Sequence, residues 1–286
     1  MTLTLEWSIK TGMNLLLRFF VILLPLTTQA SSLFGTFEPV PDSSVLVSFS
    51  QIQQDKKMPT ILNMMSWNLH KGEAGSSFYT DLQFLARSKD LILTQEAMND
   101  SVMPSEMLRL NFGDIWMAQS FRDVEANTTS GVATISRAKA FEVFFRRSPG
   151  VEPVVFTPKM TLATIYRLEN NIPLLVLNIH GINFTNNTEF ELQIKDLIPY
   201  IGNFPGKVIF AGDFNTWNVG RHLYLDNAMK KLKMTQIEFS NGQPENEYGL
   251  VLDHIFVRGC KVLEAKVVSY IDTSDHLPIT AKLDCR

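Results

Sequence analysis

From residue 60 to the carboxyl terminus, short apolar runs rich in Val, Ile, Leu and Phe alternate with amphipathic segments. Short β-rich runs predict strands, and apolar residues at every third or fourth position predict helices. The predicted strands span residues 61–67, 91–94, 131–137, 141–145, 162–168, 173–178, 208–211, 252–257, 262–269 and 278–283, and the predicted helices 79–87, 104–110, 188–200 and 221–233. This order predicts an α/β fold in which two mixed β-sheets pack together with helices outside, a four-layer α/β sandwich.

The composition and the net charge of the chain exclude several classes of protein. The chain has 286 residues, of which 45% are hydrophobic and 19% charged, so neither a disordered chain nor a coiled coil describes the whole. The formal net charge is −3. A basic surface that would bind nucleic acid all over is therefore excluded, although a local basic groove stays open.

The amino-terminal segment is typical of an export signal. Arg18 precedes an apolar run at 19–26, and Thr28 and Ala30 supply the small residues of a cleavage site. A membrane-spanning helix needs about 20 apolar residues. We therefore interpret residues 1–30 as the cleaved signal peptide of a periplasmic or secreted protein, with an uncleaved membrane anchor as the alternative.

Three further features describe the organisation of the chain. Met13 is a second possible start of the signal peptide. Residues 31–59 contain prolines and serines without periodicity and predict an irregular linker, so the domain proper is expected at 60–286. Cys260 and Cys285 each follow a strand-like segment, and both a disulfide and two free thiols remain open.

Polar and ionisable residues follow the buried strands. In sheet proteins with helical crossovers, ligand sites form at the carboxyl ends of strands. Four of the five histidines also lie in or beside these polar segments, which predicts one shared site. Its members are Asn68, Glu96, His180, Asp213, Asn215 and the pair Asp275 and His276.

Six short segments carry a family signature. They are Ser66-Trp67-Asn68, Thr94-Gln95-Glu96, Asn178-Ile179-His180, Gly212-Asp213-Phe214-Asn215, Leu252-Asp253-His254 and Ser274-Asp275-His276. In this order and at these intervals, the chain from residue 60 to 286 resembles the endonuclease/exonuclease/phosphatase superfamily of deoxyribonuclease-like, metal-dependent phosphoesterases. The resemblance is strongest to a bacterial envelope branch of uncertain substrate.

This resemblance implies a divalent metal site. A cation must neutralise the phosphate before water can attack it, and carboxylate and amide oxygens favour Mg²⁺ or Mn²⁺. The implied ligands are Glu96, Asn68 and Asp275. Considered alone, Glu96 could equally be a solvated strand end.

The resemblance also implies the catalytic groups, with no covalent intermediate. Asp213 would orient or deprotonate the attacking water, and Asn215 would fix that carboxylate, although Asp213 alone could be a helix cap. His276 would act in acid–base catalysis with Asp253 as its partner, and His180 would stabilise the charge that develops on the phosphate.

The substrate is less constrained. The DNA-repair branch has an acidic residue two positions after the first Asn, where this chain has His70, which weakens the case for abasic-site cleavage. A nuclease is the favoured function, and its cationic arm would consist of Arg137, Arg146, Arg147 and Lys159.

Two alternatives to the nuclease remain. A phospholipid or sphingomyelin phosphodiesterase would display an apolar hairpin, for which Phe144 and Phe145 are candidates. A binding module without catalysis is the alternative from another class. The expected partner is a phosphodiester, either nucleic acid or a phospholipid headgroup, and we expect a monomer without an organic cofactor.

Overall fold

The computed structural model describes residues 36–49, 55–153 and 156–286. The interpretation of residues 1–30 as a signal peptide, with Met13 as a possible start, falls outside the described residues and stays a prediction. None of the helices in the described ranges is long and apolar enough to cross a bilayer.

Sixteen strands and five α-helices are present in the described part of the chain. The strands are β1 (Phe37–Pro39), β2 (Leu46–Ser48), β3 (Ile61–Asn68), β4 (Leu91–Asn99), β5 (Asp114–Asp123), β6 (Thr128–Ser136), β7 (Glu142–Arg147), β8 (Met160–Arg167), β9 (Pro173–His180), β10 (Lys207–Asp213), β11 (Thr235–Gln236), β12 (Asn246–Glu247), β13 (Leu250–Val251), β14 (Asp253–Arg258), β15 (Lys261–Val267) and β16 (Ile279–Asp284). The helices are α1 (Asp42–Val45), α2 (Ser76–Ala86), α3 (Met103–Arg109), α4 (Asn187–Asn203) and α5 (Val219–Lys231).

The strands form two large mixed sheets and one small hairpin. The first sheet has the order β1-β5-β6-β4-β3-β16-β15, with β2 also paired to β5. The second has the order β11-β14-β10-β9-β8-β7, and β12 pairs with β13. Each large sheet contains one parallel pair, β3 with β4 and β9 with β10, among antiparallel neighbours.

Alternating side chains build four layers. Leu62 and Met64 of β3 lie in the core between the two sheets, while Met65 of the same strand packs under helices α2 and α3. Strand β10 is also buried on both faces: Ile209 faces the other sheet, and Phe210 packs against helices α4 and α5. Successive strand residues point to opposite faces, so both strands are buried on two sides. The predicted four-layer α/β sandwich is confirmed.

The amino-terminal part of the fold differs from expectation. Residues 37–48 were expected within an irregular linker at 31–59, but β1 and β2 pair with β5 and extend the first sheet. The folded unit accordingly begins at Thr36, not near residue 60. Pro39 closes β1 at the edge of the sheet, where its missing N–H costs no ladder hydrogen bond.

The two cysteines form a disulfide between Cys260 and Cys285, which resolves the alternative left open above. The bond joins the turn before β15 to the end of β16 across a sequence separation of 25 residues. Closing a loop of this length lowers the entropy of the unfolded chain and should stabilise the fold by about 3 kcal/mol.

We predict that replacing both cysteines by Ala lowers the free energy of unfolding by about that amount, ~3 kcal/mol. The measurement is chemical denaturation monitored by circular dichroism, with the oxidised wild type as reference and the wild type in reductant as a second sample. A double variant that unfolds at the wild-type midpoint would show that the bond contributes nothing.

Candidate active site

Four polar side chains at the ends of core strands point into the space between the two sheets. In β3, Asn68 follows the inward-facing Met64 and Ser66 by even steps, and in β10, Asp213 follows Ile209 and Ala211 in the same way. His180 and Asp253 lie opposite Asp213 in the strand register, on either side of it. All four side chains are buried. The site is therefore the polar end of the core that the two sheets share.

Asp213 is at the centre of this group. Its Oδ2 accepts a hydrogen bond from Asn68 Nδ2 at 3.1 Å, and its Oδ1 accepts the backbone N–H of Asn215 at 2.9 Å. The Asn215 side chain donates to Gly181 O at 2.9 Å. Because Asn215 adopts a left-handed φ of 53°, the chain turns back toward the carboxylate immediately after β10. The Asn215 backbone therefore hydrogen-bonds the Asp213 carboxylate, and its side chain anchors the turn to the loop after β9.

The strand beneath Asp213 can approach β9 closely because residue 212 is glycine. A Cβ on Gly212 would come within 2.0 Å of the Ile179 carbonyl oxygen, and its φ of 144° disfavours other residues. This requirement explains the glycine of the Gly212-Asp213-Phe214-Asn215 segment.

Burial, together with the nearby Asp253 carboxylate, raises the pKa of Asp213 to about 7. His276 and the hydrogen bonds from Asn215 and Asn68 act in the opposite direction. A carboxyl group that titrates near neutral pH is suited to accept a proton in catalysis.

Two histidines flank Asp213 in different protonation states. His180 Nε2 is 3.5 Å and His276 Nε2 is 3.8 Å from Asp213 Oδ2. Burial lowers the pKa of His180 well below its ordinary value, and the charges of Lys159, His276 and Lys71 lower it too. Burial also opposes protonation of His276, but the Asp253 and Asp213 carboxylates raise its pKa well above the ordinary value.

Asp253 positions His276 directly, since its Oδ2 lies 2.8 Å from His276 Nδ1. This contact leaves Nε2 of the imidazolium directed at Asp213. The distance of 3.8 Å between Nε2 and Oδ2 exceeds a direct hydrogen bond, and a water molecule can bridge the two groups by accepting from His276 and donating to Asp213. One carboxylate, one neutral imidazole and one imidazolium thus surround one reacting position.

Glu96 stands at the same edge of the first sheet. Asn68 pairs with Gln95 in the parallel register of β3 and β4, so Glu96 follows directly beside Asn68. A β-bulge between Thr94 and Ala97 and a φ of 52° at Glu96 turn its side chain away from the ladder. Glu96 borders a cavity that His180 also lines.

The donor set fits a hard cation. Among the described residues, no Lys, Arg or His lies within ion-pair distance of Glu96, so its carboxylate has no internal counter-charge. The predicted ligand Asp275 has one oxygen, Oδ2, at 2.9 Å from His70 Nδ1. Within the described ranges, no group of three or more His, Cys, Asp or Glu side chains converges as a cage. Glu96, Asn68 and Asp275, the ligands that the resemblance implies, carry the carboxylate and amide oxygens that Mg²⁺ or Mn²⁺ prefers.

His70 occupies the position where the DNA-repair branch carries an acidic residue. Its ring bridges Asp275 and Glu73, with Nε2 at 3.1 Å from Glu73 Oε2. The chain therefore places an imidazole, not a second carboxylate, beside Asp275.

Two residues to which the sequence analysis gave no role support the site, although one of them, Asn178, belongs to a signature segment. Arg221 is fully buried and donates from Nη1 to the carbonyl oxygens of Ile182 at 2.7 Å and Asn215 at 2.9 Å, joining the loops after β9 and β10. Asn178 accepts from Gln95 Nε2 at 2.6 Å, across the space between the sheets. The even spacing of Asn178 from His180 is the signal that could have identified it.

The other predicted residues have structural partners. His254, the last residue of the Leu252-Asp253-His254 segment, lies on the opposite face of β14 from Asp253 and contacts Thr216 Oγ1 at 2.8 Å. The proposed cationic arm is not assembled. Arg146 pairs with Asp196 and Arg147 with Asp42.

The apolar hairpin expected for a lipid enzyme is not formed by Phe144 and Phe145. Phe144 stacks on Tyr200 with ring centroids 5.2 Å apart, and Phe145 lies under the guanidinium of Arg147. Both side chains belong to β7 and are partly buried.

The fold is a four-layer sandwich of two facing sheets, with a cluster of buried carboxylate, amide and imidazole groups at one end of the core. The model of the Endonuclease/Exonuclease/phosphatase family matches residues 65–276. The chain belongs to this family, whose members hydrolyse phosphoesters and generally depend on divalent metals.

Individual relatives agree with this placement. A UPF0294 protein of Vibrio cholerae is 33% identical over 227 residues, covering 77% of each chain. An endonuclease/exonuclease/phosphatase of Beutenbergia cavernae has a similar fold, with a TM-score of 0.62, 15% identity and coverage of 78% of this chain and 71% of that one. The beta toxin of Staphylococcus aureus, with bound magnesium ions, gives a TM-score of 0.57 at 15% identity, covering 78% and 99%.

Proposed function

We propose that this protein is a phosphodiesterase that requires Mg²⁺ or Mn²⁺ and hydrolyses its substrate by direct attack of water. The observation that carries the proposal is the geometry around Asp213. Its carboxylate, with a pKa near neutrality, lies within 4 Å of a neutral imidazole and of an imidazolium. Such a combination supplies a base, a neutral donor and a cationic donor at one phosphorus atom.

The residues of this chain divide the work as follows. Asp213 takes a proton from the attacking water, and Asn68 and Asn215 hold its oxygens in place. His180 stays neutral because its pKa is lowered, and its N–H donates a hydrogen bond to a non-bridging oxygen. His276 donates from Nε2 to the oxygen on which charge develops, because Asp253 keeps it protonated. A divalent cation held by Glu96, Asn68 and Asp275 would neutralise charge on the phosphate.

Metal dependence is tested with bis-p-nitrophenyl phosphate. We expect EDTA to abolish hydrolysis and added Mg²⁺ or Mn²⁺ to restore it. Because Glu96→Gln removes a charged ligand, it should raise the metal concentration that gives half-maximal rate at least about tenfold. Glu169→Gln, an exposed carboxylate in the turn before β9, is the matched control. Hydrolysis that proceeds equally in EDTA would contradict the proposal.

Substrate class is decided by a panel of plasmid DNA, RNA and sphingomyelin. The nuclease and the lipid phosphodiesterase remain proposals, and neither the cationic arm nor the apolar hairpin expected for them is formed by the described residues. If the protein binds phosphodiesters without turning any of them over, the non-catalytic binding module is the correct function.

A further inference from the structure

A cavity of about 230 Å³ opens beside the site, between the first sheet and the start of β8. Glu96 and His180 form the wall nearest the reacting groups, and the far wall comes from β1 and the β5–β6 hairpin. This volume lies just below the range of about 300–1,000 Å³ typical of sites for drug-sized ligands. A substituent on the phosphorus could enter the cavity, whereas a nucleic-acid duplex could not.

A buried ion pair lies in the wall of this cavity. Lys159 Nζ is 3.2 Å from Glu152 Oε2, and the two side chains are only 12% and 8% exposed. Glu152 Oε1 accepts the backbone N–H of Asn183 at 2.8 Å, and the Lys159 backbone N–H donates to Ser148 Oγ at 2.9 Å. The Glu152 carboxylate is therefore held from a second direction, and the Lys159 backbone is anchored to Ser148.

The ion pair between Lys159 and Glu152 is not explained by a contribution to the stability of the fold. Burying two charges costs about as much as their attraction returns, and apolar residues of similar size often do better. Lys159 has three donors, and Glu152 is its one ion-pair partner among the described residues. Lys159 lines the same cavity as His180 and Glu96, and its charge lowers the pKa of His180.

The rest of the lining suits hydroxyl groups. Asp123 supplies a carboxylate, and Thr128 and Ser130 supply hydroxyls, at one end of the cavity. Phe37 and Phe121 line it as well and pack edge to face with centroids 5.4 Å apart. Ammonium, carboxylate and hydroxyl groups beside apolar rings can donate to and accept from the hydroxyls of a polyol while packing against its carbon atoms.

We propose that Lys159, held by Glu152, is a substrate-binding residue that selects phosphodiesters carrying a compact polyhydroxyl alcohol, such as a glycerol or sugar unit, in this cavity. The inference rests on the proposed phosphodiesterase function and names the substrate class of that same site. It takes the place of the nucleic-acid duplex as the favoured substrate.

Two matched substrates test it, methyl p-nitrophenyl phosphate and glyceryl p-nitrophenyl phosphate. In both, the water oxygen bonds to phosphorus as the bond from phosphorus to p-nitrophenolate breaks, and the water protons pass to solvent by way of Asp213. The substrates differ only in the alcohol that stays on phosphorus. Because a hydrogen bond from a charged donor is worth about tenfold or more, we expect kcat/KM to be at least about tenfold higher for the glyceryl ester.

The variant Lys159→Met should reduce this preference to within about threefold of unity, since it removes the donor and keeps the length. Glu152→Gln with Lys159→Met removes both charges and keeps the test valid if the single variant is unstable. Lys195→Met, on the exposed surface of α4, is the control and should keep the wild-type preference.

The outcomes separate the two proposals. If the wild type hydrolyses neither ester with metal present, the phosphodiesterase function itself is wrong. If it hydrolyses both with equal kcat/KM, or if the preference survives in a folded Lys159 variant, only the role of Lys159 and its cavity is overturned. Faster cleavage of plasmid DNA than of the glyceryl ester would also overturn it.

Discussion

Asp213→Asn is expected to lower kcat at least about a hundredfold, because the loss of a catalytic base typically costs 10²–10⁴ in rate. Asparagine keeps the shape of the side chain and can still accept the Asn215 N–H, but it cannot take a proton from water. Turnover of bis-p-nitrophenyl phosphate is the measurement. Asp226→Asn, which removes an exposed carboxylate paired with Lys230 on α5, is the matched control and should change little.

The role of Asp213 as a base also predicts the direction in which the rate changes with pH. With a pKa of about 7, Asp213 is protonated and inactive as a base below neutrality and ionised above it. The rate should therefore rise with pH through about 7 in the wild type, and this rise should be absent in Asp213→Asn. A wild-type rate that is flat from about pH 5.5 to 8 would remove Asp213 from this role.

His276→Gln should lower kcat by about 10²-fold or more, because it removes the cationic donor at the oxygen that gains charge. His222→Gln is the matched control, since His222 is half-buried outside the group around Asp213, with Nε2 at 3.0 Å from the Val251 carbonyl oxygen and its ring packed edge to face on His254. Equal rates for wild type and His276→Gln would contradict the assignment.

Asp253→Asn separates positioning from a purely structural effect. Its carboxylate raises the pKa of His276, so without it His276 loses its proton at lower pH. We expect the alkaline fall of the rate to move to lower pH in this variant, together with a lower maximum. A variant that is slower but keeps the wild-type alkaline limb would show that Asp253 does not act through the protonation of His276.

The sandwich and most of the site could be predicted because both depend on local pattern. Short apolar, β-rich runs identified β3, β9 and β10, which are buried on both faces. The polar residues that end them converge because parallel neighbours end at the same edge. Asp213, His180, Asp253 and His276 lie together as expected.

What could not be predicted depends on pairing between distant segments. Strand β5 was missed because Gln119, Ser120 and Arg122 interrupt its apolar run, and its stability comes from β6, β1 and β2. The short strands β1 and β2 pair with β5, which is distant in sequence. Their own residues show no periodicity, so the sequence predicted an irregular linker there. Arg146 and Arg147 resembled a cationic arm because their partners, Asp196 and Asp42, are remote in sequence.

The bond from Gln95 to Asn178 has a consequence for how the protein can vary. Asn178 also donates to the backbone carbonyl oxygens of Thr94 at 3.1 Å and Ala133 at 2.9 Å, so a single amide ties strands of both sheets at the base of the reacting centre. These hydrogen bonds resist a hinge motion that would separate the two sheets. A substrate must therefore enter past the loops that surround the site. Sequence drift in these loops can then change what is admitted while the chemistry underneath keeps its alignment.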